Sequence, residues 1–193
     1  DQILSRPPVR TETWLHTGAW FAADSLMARL KTEWFQGDPK AWPLPDCEIP
    51  PGLTPEEQRE AVRALRGRTL RQEVYADDGS TKAGVPYSVT EQSHVAVIVQ
   101  PRAAEIAQKH AVFLAHDREK RSSHYERDAA DPRIQQELTL AVDEYATPLR
   151  TAAIGYPRRN PTIPAKTEQS THHITVTTNR IAHQTTATGP HRI

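Results

Sequence analysis

The sequence has little of several residue types, and each shortage excludes a class of protein. Cys47 is the single cysteine among 193 residues, so neither an internal disulfide nor a thiolate metal cluster can form. No apolar run reaches the roughly 20 residues that span a bilayer. The 24 basic and 24 acidic residues balance and are scattered along the chain. This pattern argues against nucleic acid or an anionic membrane as the main partner.

Apolar residues are also scarce, at 37% of a chain that contains 16 prolines. Globular domains contain about 45–50% apolar residues when glycine is counted. A thin core leaves two interpretations: disordered ends, or a segment that completes its core with neighbouring domains. We favour the second. Because the chain begins at Asp1 without a signal peptide and ends in a polar tail, we expect an internal segment of a longer protein.

The common catalytic and nucleotide-binding motifs are missing as well. The sequence has no GxSxG, P-loop, GxGxxG, HExxH or His-x-His pattern, and these are the spacings that such sites require. His172 and His173 are adjacent, so on a strand they point to opposite faces and cannot bind one metal ion together. Cys47 has no nearby histidine and is interpreted as an unpaired thiol. We therefore predict no catalytic residue, no metal ligand and no cofactor.

Residues 1–66 are predicted to hold an extended segment, short helices and a proline-rich linker. An extended strand is expected over Val9–His16. Residues 22–35 place apolar side chains at helical spacing, with Asp24 or Ser25 as N-cap. Five prolines within 37–52 exclude a regular element there, because proline fixes φ and lacks the amide donor.

The second helix has the clearest boundaries in the sequence. Thr54 and Glu57 have the spacing of a capping box, and Pro55 suits the first helical turn. Gly67 is placed to end this helix. The sequence therefore predicts a helix that begins directly after Thr54.

From Arg68 onward the apolar pattern has period two, which is typical of strands. Leu70–Ala76 alternates and runs into the turn Asp77-Asp78-Gly79-Ser80. We predict an antiparallel β meander over residues 67–182 and a disordered tail over 183–193. The further predicted strands are Tyr87–Thr90, His94–Gln100, Ala111–His116, Ser123–Arg127, Glu137–Glu144, Leu149–Tyr156 and His173–Thr178.

Two alternative functions rest on particular side chains. On the predicted strand Ser123–Arg127, His124, Glu126 and Asp128 would share one face, and with Asp131 they could supply the carboxylate pair of a hydrolase. We favour a polar outer face that ends in an Asp131-Pro132 turn, because no companion motif supports catalysis.

The four tryptophans could likewise form a sugar-stacking surface of a carbohydrate-binding β-module. Docking against a neighbouring domain is the interpretation that we favour for them. All of them fall within the first 42 residues: Trp14, Trp20, Trp34 and Trp42.

Seven phrases occur in an order that resembles one family. They are TWLHTGAW, EWFQGDP, LTPEEQREAVRALRGRTLRQEVYADDGS, PYSVTEQ, SHYERDAADPRI, LTLAVDEYATPLRTAAIGYPRR and TEQSTHHITVTTN. From Val9 to Asn179 the chain resembles the middle/C-terminal region of the B component of bacterial insecticidal toxin complexes (Tc or ABC toxins), the TcdB/TcaC-like family. Where members usually have a Gly-Asn type turn, this chain has Ala146-Thr147-Pro148, which implies a changed geometry for one hairpin.

The resemblance implies a mainly β fold, an antiparallel hairpin meander of the Rhs/YD shell type with one or two short helices in the N-terminal third. It implies a secreted, non-enzymatic structural segment of a β-shell that encloses the toxic effector of the C component. The implied partners are the C component, other regions of the same B component, and the pore-forming A component through a neighbouring propeller. Nucleic acid and membrane contact are not implied, and the family assigns no catalytic residue to carry over.

Overall fold

The computed structural model describes residues 7–20, 26–103, 108–160, 166–186 and 189–192. Within them the chain forms an open seven-stranded antiparallel sheet, with its strands in chain order, and a separate two-stranded sheet. The strands are β1 (Val9–Leu15), β2 (Thr69–Ala76), β3 (Ser88–Gln100), β4 (Val112–His124), β5 (Arg133–Val142), β6 (Pro148–Gly155), β7 (His173–Thr178), β8 (His183–Thr186) and β9 (Gly189–Arg192). The predicted antiparallel meander is confirmed.

Two pairs of predicted strands are single long strands in the structure. The predicted strands Tyr87–Thr90, except for Tyr87 itself, and His94–Gln100 are both parts of β3, which continues through a bulge between them. The predicted strands around Ala111–His116 and Ser123 likewise join in β4. The charged run between them stays extended because its side chains find partners on the neighbouring strands: Arg121 pairs with Glu91 on β3, and Glu119 accepts a hydrogen bond from Gln136 on β5.

The helices are short, and both lie in the N-terminal third as predicted. Helix α1 (Leu26–Leu30) continues into a 3₁₀ turn over Lys31–Glu33, and helix α2 covers Pro55–Ala64. The helix predicted within 22–35 therefore ends earlier than expected, because the backbone is already extended at Trp34. The two candidate N-caps, Asp24 and Ser25, lie outside the described residues.

The predicted capping box at the start of α2 is present. The Thr54 hydroxyl accepts a hydrogen bond from the Glu57 amide at 3.3 Å, and the Glu57 carboxylate accepts one from the Thr54 amide at 3.0 Å. Such a cap stabilises a helix by about 1 kcal/mol. Gly67 follows the helix with φ of +80°, in the left-handed region that glycine adopts without steric cost.

The hydrophobic core consists of two small clusters on one face of the sheet. In the first, Ala61 and Leu65 of α2 pack on Ala96 of β3 and Ala115 of β4. The alanines on both sides allow the helix to approach the strands closely. The second cluster contains Met27, Trp34 and Leu70, and Cys47 packs against both clusters.

The proline-rich segment contributes one backbone bridge to the sheet. The amide of Glu48 donates to the carbonyl of His94 at 2.8 Å, and the amide of Ala96 donates to the carbonyl of Glu48 at 2.8 Å. Beyond Glu91, β3 is no longer paired with β2. The bridge therefore satisfies backbone groups that the divergence of β2 leaves open.

The N-terminal strand is part of the main sheet. β1 pairs with β2, across the predicted boundary between residues 66 and 67, and β8 and β9 fall in the stretch predicted as a tail. The division into 1–66, 67–182 and 183–193 stays a prediction. Among the described residues, no helix is both long enough and apolar enough to cross a bilayer.

Candidate functional site

A row of charged side chains runs across the middle of the sheet on the face that carries the core. Arg71 of β2, Glu91 of β3 and Arg121 of β4 lie opposite one another in register, and Glu73 follows Arg71 on the same face. These four residues are called here the ion-pair row. Their side chains are at most 8% exposed, so the buried face of these strands is the charged one.

Each carboxylate of the ion-pair row has several hydrogen-bond donors. Glu73 accepts hydrogen bonds from Arg71 at 2.5 Å, from the Tyr75 hydroxyl, and from the Phe35 amide at 3.0 Å. Glu91 lies between two guanidinium groups, with Arg71 at 3.1 Å and Arg121 in direct hydrogen-bond contact. The two positive and two negative charges balance, which is the condition under which buried charges are tolerated.

The segment 34–45, called here the strap, crosses the ion-pair row. The guanidinium carbon of Arg71 lies 4.8 Å from the ring centre of Trp34, and that of Arg121 lies 4.6 Å from that of Trp42. Guanidinium groups bind aromatic faces at such distances. Burial, together with the hydrogen bond to Glu73, raises the pKa of Tyr75. The strap therefore covers the row, and a depression of about 170 Å³ remains between the strap and the row.

Asp38 fastens the strap to the far end of the sheet. Its carboxylate accepts hydrogen bonds from Arg159 at 2.8 Å and from the Tyr125 hydroxyl at 2.9 Å. Burial, followed by the negative charge of Asp38, raises the pKa of Tyr125. These contacts join three segments that are far apart in the sequence: the strap, the turn after β4 and the segment after β6.

Asp131 fastens the same region a second time. Its carboxylate binds the guanidinium of Arg158 and accepts hydrogen bonds from the backbone amides of Arg159 at 2.9 Å and Asn160 at 3.0 Å. Burial alone would raise the pKa of Asp131, but the hydrogen bonds outweigh it and lower the pKa. Asp131 is thus a structural anion in this protein.

The predicted strand Ser123–Arg127 is wrong at its second half. β4 ends at His124, and Glu126 and Arg127 have φ of +49° and +62°, which turns the chain sharply. His124, Glu126 and Asp128 therefore do not share one strand face.

The four candidate hydrolase residues do line one surface depression, but the acids among them already have partners. Glu126 forms an exposed ion pair with Arg133 at 2.7 Å, and Asp128 accepts the amide of Ala130 at 2.9 Å. Asp131 binds Arg158 and two backbone amides. Each of the three acids therefore has a structural role in a turn or as an anchor.

The tryptophans pack within this chain. Trp34 is buried, so the expectation that it docks on a neighbouring domain is wrong for this residue. Trp14 donates to Glu33 at 2.9 Å. Arg59 lies over the ring of Trp20 at 5.0 Å. Trp42 is the most exposed of the four, but the ring of Tyr156 and the guanidinium groups of Arg121 and Arg159 already contact it.

Cys47 and His94 lie close together without forming a nucleophilic pair. The ring nitrogens of His94 are engaged elsewhere: Nδ1 lies 3.0 Å from Asp117, and Nε2 donates to the carbonyl of Thr69 at 2.8 Å. Burial raises the pKa of the Cys47 thiol, so the thiolate is disfavoured. In the part of the chain that the structure describes, no three histidine, cysteine or acidic residues are grouped to hold a metal ion.

Sequence reasoning missed the ion-pair row. The alternation of Arg71, Glu73 and Tyr75 against Leu70 and Val74 is visible in the sequence, and it predicts two faces. The alternation does not show which face is buried, because burial depends on which face the side chains of the strap cover. Nothing in the sequence near Arg71 or Glu91 indicates that the two residues pair, because a long loop separates them.

Comparison with known proteins gives a consistent result. The family model described as the insecticide toxin TcdB middle/C-terminal region matches residues 60–188. The crystal structure of TcdB2-TccC3-Cdc42 matches with a TM-score of 0.80 and 28% identity over 98% of this chain. The structure of the Photorhabdus luminescens Tc holotoxin pore matches with a TM-score of 0.77 and 30% identity over 96% of this chain. A search of curated proteins returned no match.

The chain spans only 10% and 9% of the two solved chains, so it corresponds to a small part of each. The family model, in contrast, covers more than half of this chain, and the solved structures share its fold along nearly all of its length. This protein therefore belongs to the insecticide toxin TcdB middle/C-terminal region family, a β-rich part of insecticidal toxin complexes.

Proposed function

We propose that this chain is a non-enzymatic structural segment of a toxin-complex B component, and that it forms part of the β-shell that encloses the toxic effector of the C component. The observation that carries the proposal is the match to TcdB2-TccC3 structures over 98% of the chain. The family membership of residues 60–188 supports it independently. In this role the chain acts outside the bacterial cell, as part of a secreted assembly.

The use of the buried ionisable groups supports a structural role. Glu73 and Glu91 bind guanidinium groups within the sheet, and Asp38 and Asp131 fasten the strap and the segment after β6. A general acid or base needs a proton that can be exchanged with a substrate. These four carboxylates instead neutralise fixed cations, so the network stabilises one thin layer of protein.

The opposite face of the sheet supports a role as a wall surface. Gln72, Thr90, Ser122 and Gln135 lie in register across β2, β3, β4 and β5. Side chains of this kind are uncharged and hydrated. At this row a wall would separate an enclosed chain from outside proteases through a polar surface, whereas the pair Val97–Leu114 makes the end of the β3–β4 hairpin apolar on the same face.

The proposed partners follow from the assembly. They are the C component, other regions of the same B component, and the pore-forming A component, which would be reached through a neighbouring propeller of the B component. The solved relatives include a B–C complex and a holotoxin pore, and these support the first and third partners. No contact of this segment with nucleic acid or membrane is part of the proposal.

Limited proteolysis of the complete B component bound to its C component tests the function. We expect the effector region of the C component to resist protease in the wild-type complex. Asp38→Ala removes the anion that fastens the strap and should make the effector at least several-fold more sensitive. Glu126→Gln, which changes an exposed pair only, serves as the matched control and should behave like the wild type.

An effector that stays equally protected when residues 7–186 are deleted from the B component would contradict the proposal. Two further assays distinguish the alternative functions. Glycan binding that is lost in Trp42→Ala would identify a carbohydrate-binding module. Glycoside hydrolysis that is lost in Glu126→Gln would identify a hydrolase.

A further inference from the structure

His94 of β3 contacts both neighbouring strands at the point where β2 separates from β3. The register of β2 with β3 ends at the pair Arg71–Glu91. Beyond this pair, Nε2 of His94 lies 2.8 Å from the carbonyl oxygen of Thr69 on β2, and Nδ1 lies 3.0 Å from a carboxylate oxygen of Asp117 on β4. The ring itself is 1% exposed. One buried side chain therefore links β2 to β4 across β3.

Both partners of the His94 ring can only accept a hydrogen bond. A carbonyl oxygen has no proton to donate, and the Asp117 carboxylate also accepts a hydrogen bond from the guanidinium of Arg68 at 3.3 Å. Neutral imidazole has one N–H group and one nitrogen lone pair. In that form the ring would donate to one partner only, and its lone pair would face the oxygen of the other. The imidazolium form, with a proton on each nitrogen, satisfies both contacts.

The neighbouring His16 shows the opposite arrangement. Its Nδ1 accepts a hydrogen bond from the amide of Gly18 at 3.1 Å, so this nitrogen carries no proton. Burial, followed by the positive charge of His94, lowers the pKa of His16. The backbone of His16 is paired with Gly67 and Arg68, which fixes the position of the ring. The structure thus favours one charged and one neutral histidine at this junction.

The other ionisable groups at the junction have different partners or no charge. On the segment before α2, Glu48 forms an ion pair with Arg118 of β4 at 3.1 Å. Burial raises the pKa of Cys47, which keeps the thiol uncharged. Among the residues that the structure describes, Asp117 is the one carboxylate in hydrogen-bond contact with the His94 ring.

We propose that His94 carries both ring protons in the folded protein and acts as a pH-sensitive clamp between β2 and β4. The clamp consists of His94, Thr69 and Asp117. When the ring loses one of its two protons, it keeps the contact with the Thr69 carbonyl and releases Asp117. Asp117 is the partner that is released because its side chain is 66% exposed and water can replace the ring. The ion-pair row continues to join the strands, so the change is confined to the start of β2 and the facing part of β4.

The clamp responds to pH in one direction. In an unfolded chain, histidine loses its second proton at about pH 6.5. Above that pH, a folded chain that retains both protons on His94 binds one proton more than the unfolded chain. The clamp therefore stabilises the fold fully below about pH 6.5, and this contribution is lost as the pH rises further. His16 acts with the opposite sign: its lowered pKa means that the unfolded chain binds the proton first, so its contribution is lost as the pH falls.

Nitrogen-15 NMR of the histidine rings in the 193-residue chain tests the proposal. The ring signals are assigned through the backbone amide of each histidine. At about pH 7.5, where a free histidine ring is neutral, we expect protons on both ring nitrogens of His94 and on one nitrogen of His16. At higher pH, His94 should lose the proton from Nδ1 and keep the one on Nε2. A neutral His94 ring already at about pH 7.5 would overturn the proposal.

One substitution reverses the demand that residue 117 makes on the ring. In Asp117→Asn the side-chain amide can donate to an unprotonated Nδ1, so a neutral ring satisfies both partners. We expect His94 to be neutral in this variant at about pH 7.5, with its proton on Nε2. Glu126→Gln, which removes an exposed carboxylate elsewhere, is the matched control and should leave both protons on His94. A doubly protonated ring in Asp117→Asn would also overturn the proposal.

The same comparison in the complete B component uses solid-state NMR of the sedimented protein with labelled histidine. The His94 signals are identified by the difference between the wild type and Asp117→Asn. We expect one imidazolium signal of the wild type to be replaced by a neutral ring in the variant, and identical spectra would contradict the proposal. The clamp involves contacts within this chain only, so these outcomes do not depend on the proposed shell.

Discussion

The guanidinium of Arg71 lies 3.1 Å from the carboxylate of Glu91, across β2 and β3, with neither side chain more than 8% exposed. Burial of two isolated charges costs several kcal/mol per ion, and their attraction offsets this only when the remaining donors and acceptors are also satisfied. Here Arg121 and Glu73 extend the pair in both directions, and among the described residues only Nη1 of Arg121 in this row is buried without a hydrogen-bond partner. The centre of this sheet is thus held by matched charges beneath aromatic rings rather than by a large apolar core.

Removal of one charge from the ion-pair row should destabilise the protein strongly. Glu91→Gln leaves two buried guanidinium groups and one carboxylate, Glu73, which contacts Arg71 and not Arg121. We expect a loss of about 3–5 kcal/mol in the free energy of unfolding. The measurement is urea denaturation. Glu12→Gln disrupts the exposed pair with Arg10 and should cost less than about 1 kcal/mol. Similar losses in both variants would show that the row contributes no more than a surface pair.

Asp131 and Glu126 should differ in the same assay although both were candidates for catalysis. Asp131→Asn weakens a buried carboxylate that binds Arg158 and two backbone amides, and we expect a loss of about 1.5–3 kcal/mol. Glu126→Gln changes a pair in which both side chains are more than half exposed, so a change within about 0.5 kcal/mol is expected. The reverse order would contradict the assignment of Asp131 as an anchor.

Ala146→Gly should stabilise the β5–β6 hairpin. Ala146 has φ of +61°, a conformation that costs a residue with a Cβ atom about 1–2 kcal/mol. Glycine removes this cost and loses about 0.5–1 kcal/mol through the greater freedom of the unfolded chain, so a net gain of about 0.5–1 kcal/mol is expected. Ala130→Gly, at an exposed turn residue without a positive φ, is the control and should destabilise. A destabilised Ala146→Gly variant would show that strain at this turn is negligible.

The free energy of unfolding should decrease as the pH falls below about 5. Hydrogen bonds from Arg102 lower the pKa of Glu60 from 4.5 to about 2, and those from Arg127 lower the pKa of Asp78 from 3.8 to about 2. Because these carboxyls bind protons more weakly in the native state, the unfolded state takes up protons first. Their stabilising effect is complete above the unfolded pKa and is lost as the pH falls toward 2.

The contribution of Glu60 can be isolated by substitution. Glu60→Gln should make the decrease in stability between about pH 5 and pH 2 shallower. Arg102→Gln removes the principal cause of the lowered pKa and should have the same effect. Denaturation curves at several pH values provide the measurement, and a slope that is unchanged in both variants would contradict the assignment.

The features that could be predicted from the sequence are those with local signals. The capping box at Thr54 fixed the start of α2, and the alternation in Leu70–Ala76 and His173–Thr178 predicted β2 and β7. The turn replacement at Ala146, which a resemblance to the family indicated, is the point where the structure has a positive φ. In each case the information lies within a few residues of the element that it specifies.

The features that could not be predicted depend on residues far apart in the sequence. β3 was divided into two predicted strands because a polar segment interrupts its apolar pattern, and the partners that keep this segment extended lie on β4. The strap is held by Asp38 and Arg159, which are 121 positions apart. The sharp turn at Glu126 replaces a predicted strand because Tyr125 is directed to Asp38.

A cryo-electron microscopy structure of the complete B component bound to its C component would show where this segment lies. We predict that residues 7–186 lie in the wall around the effector, with the ion-pair row buried beneath the strap. A map in which these residues form a separate domain outside the enclosing wall would contradict the account.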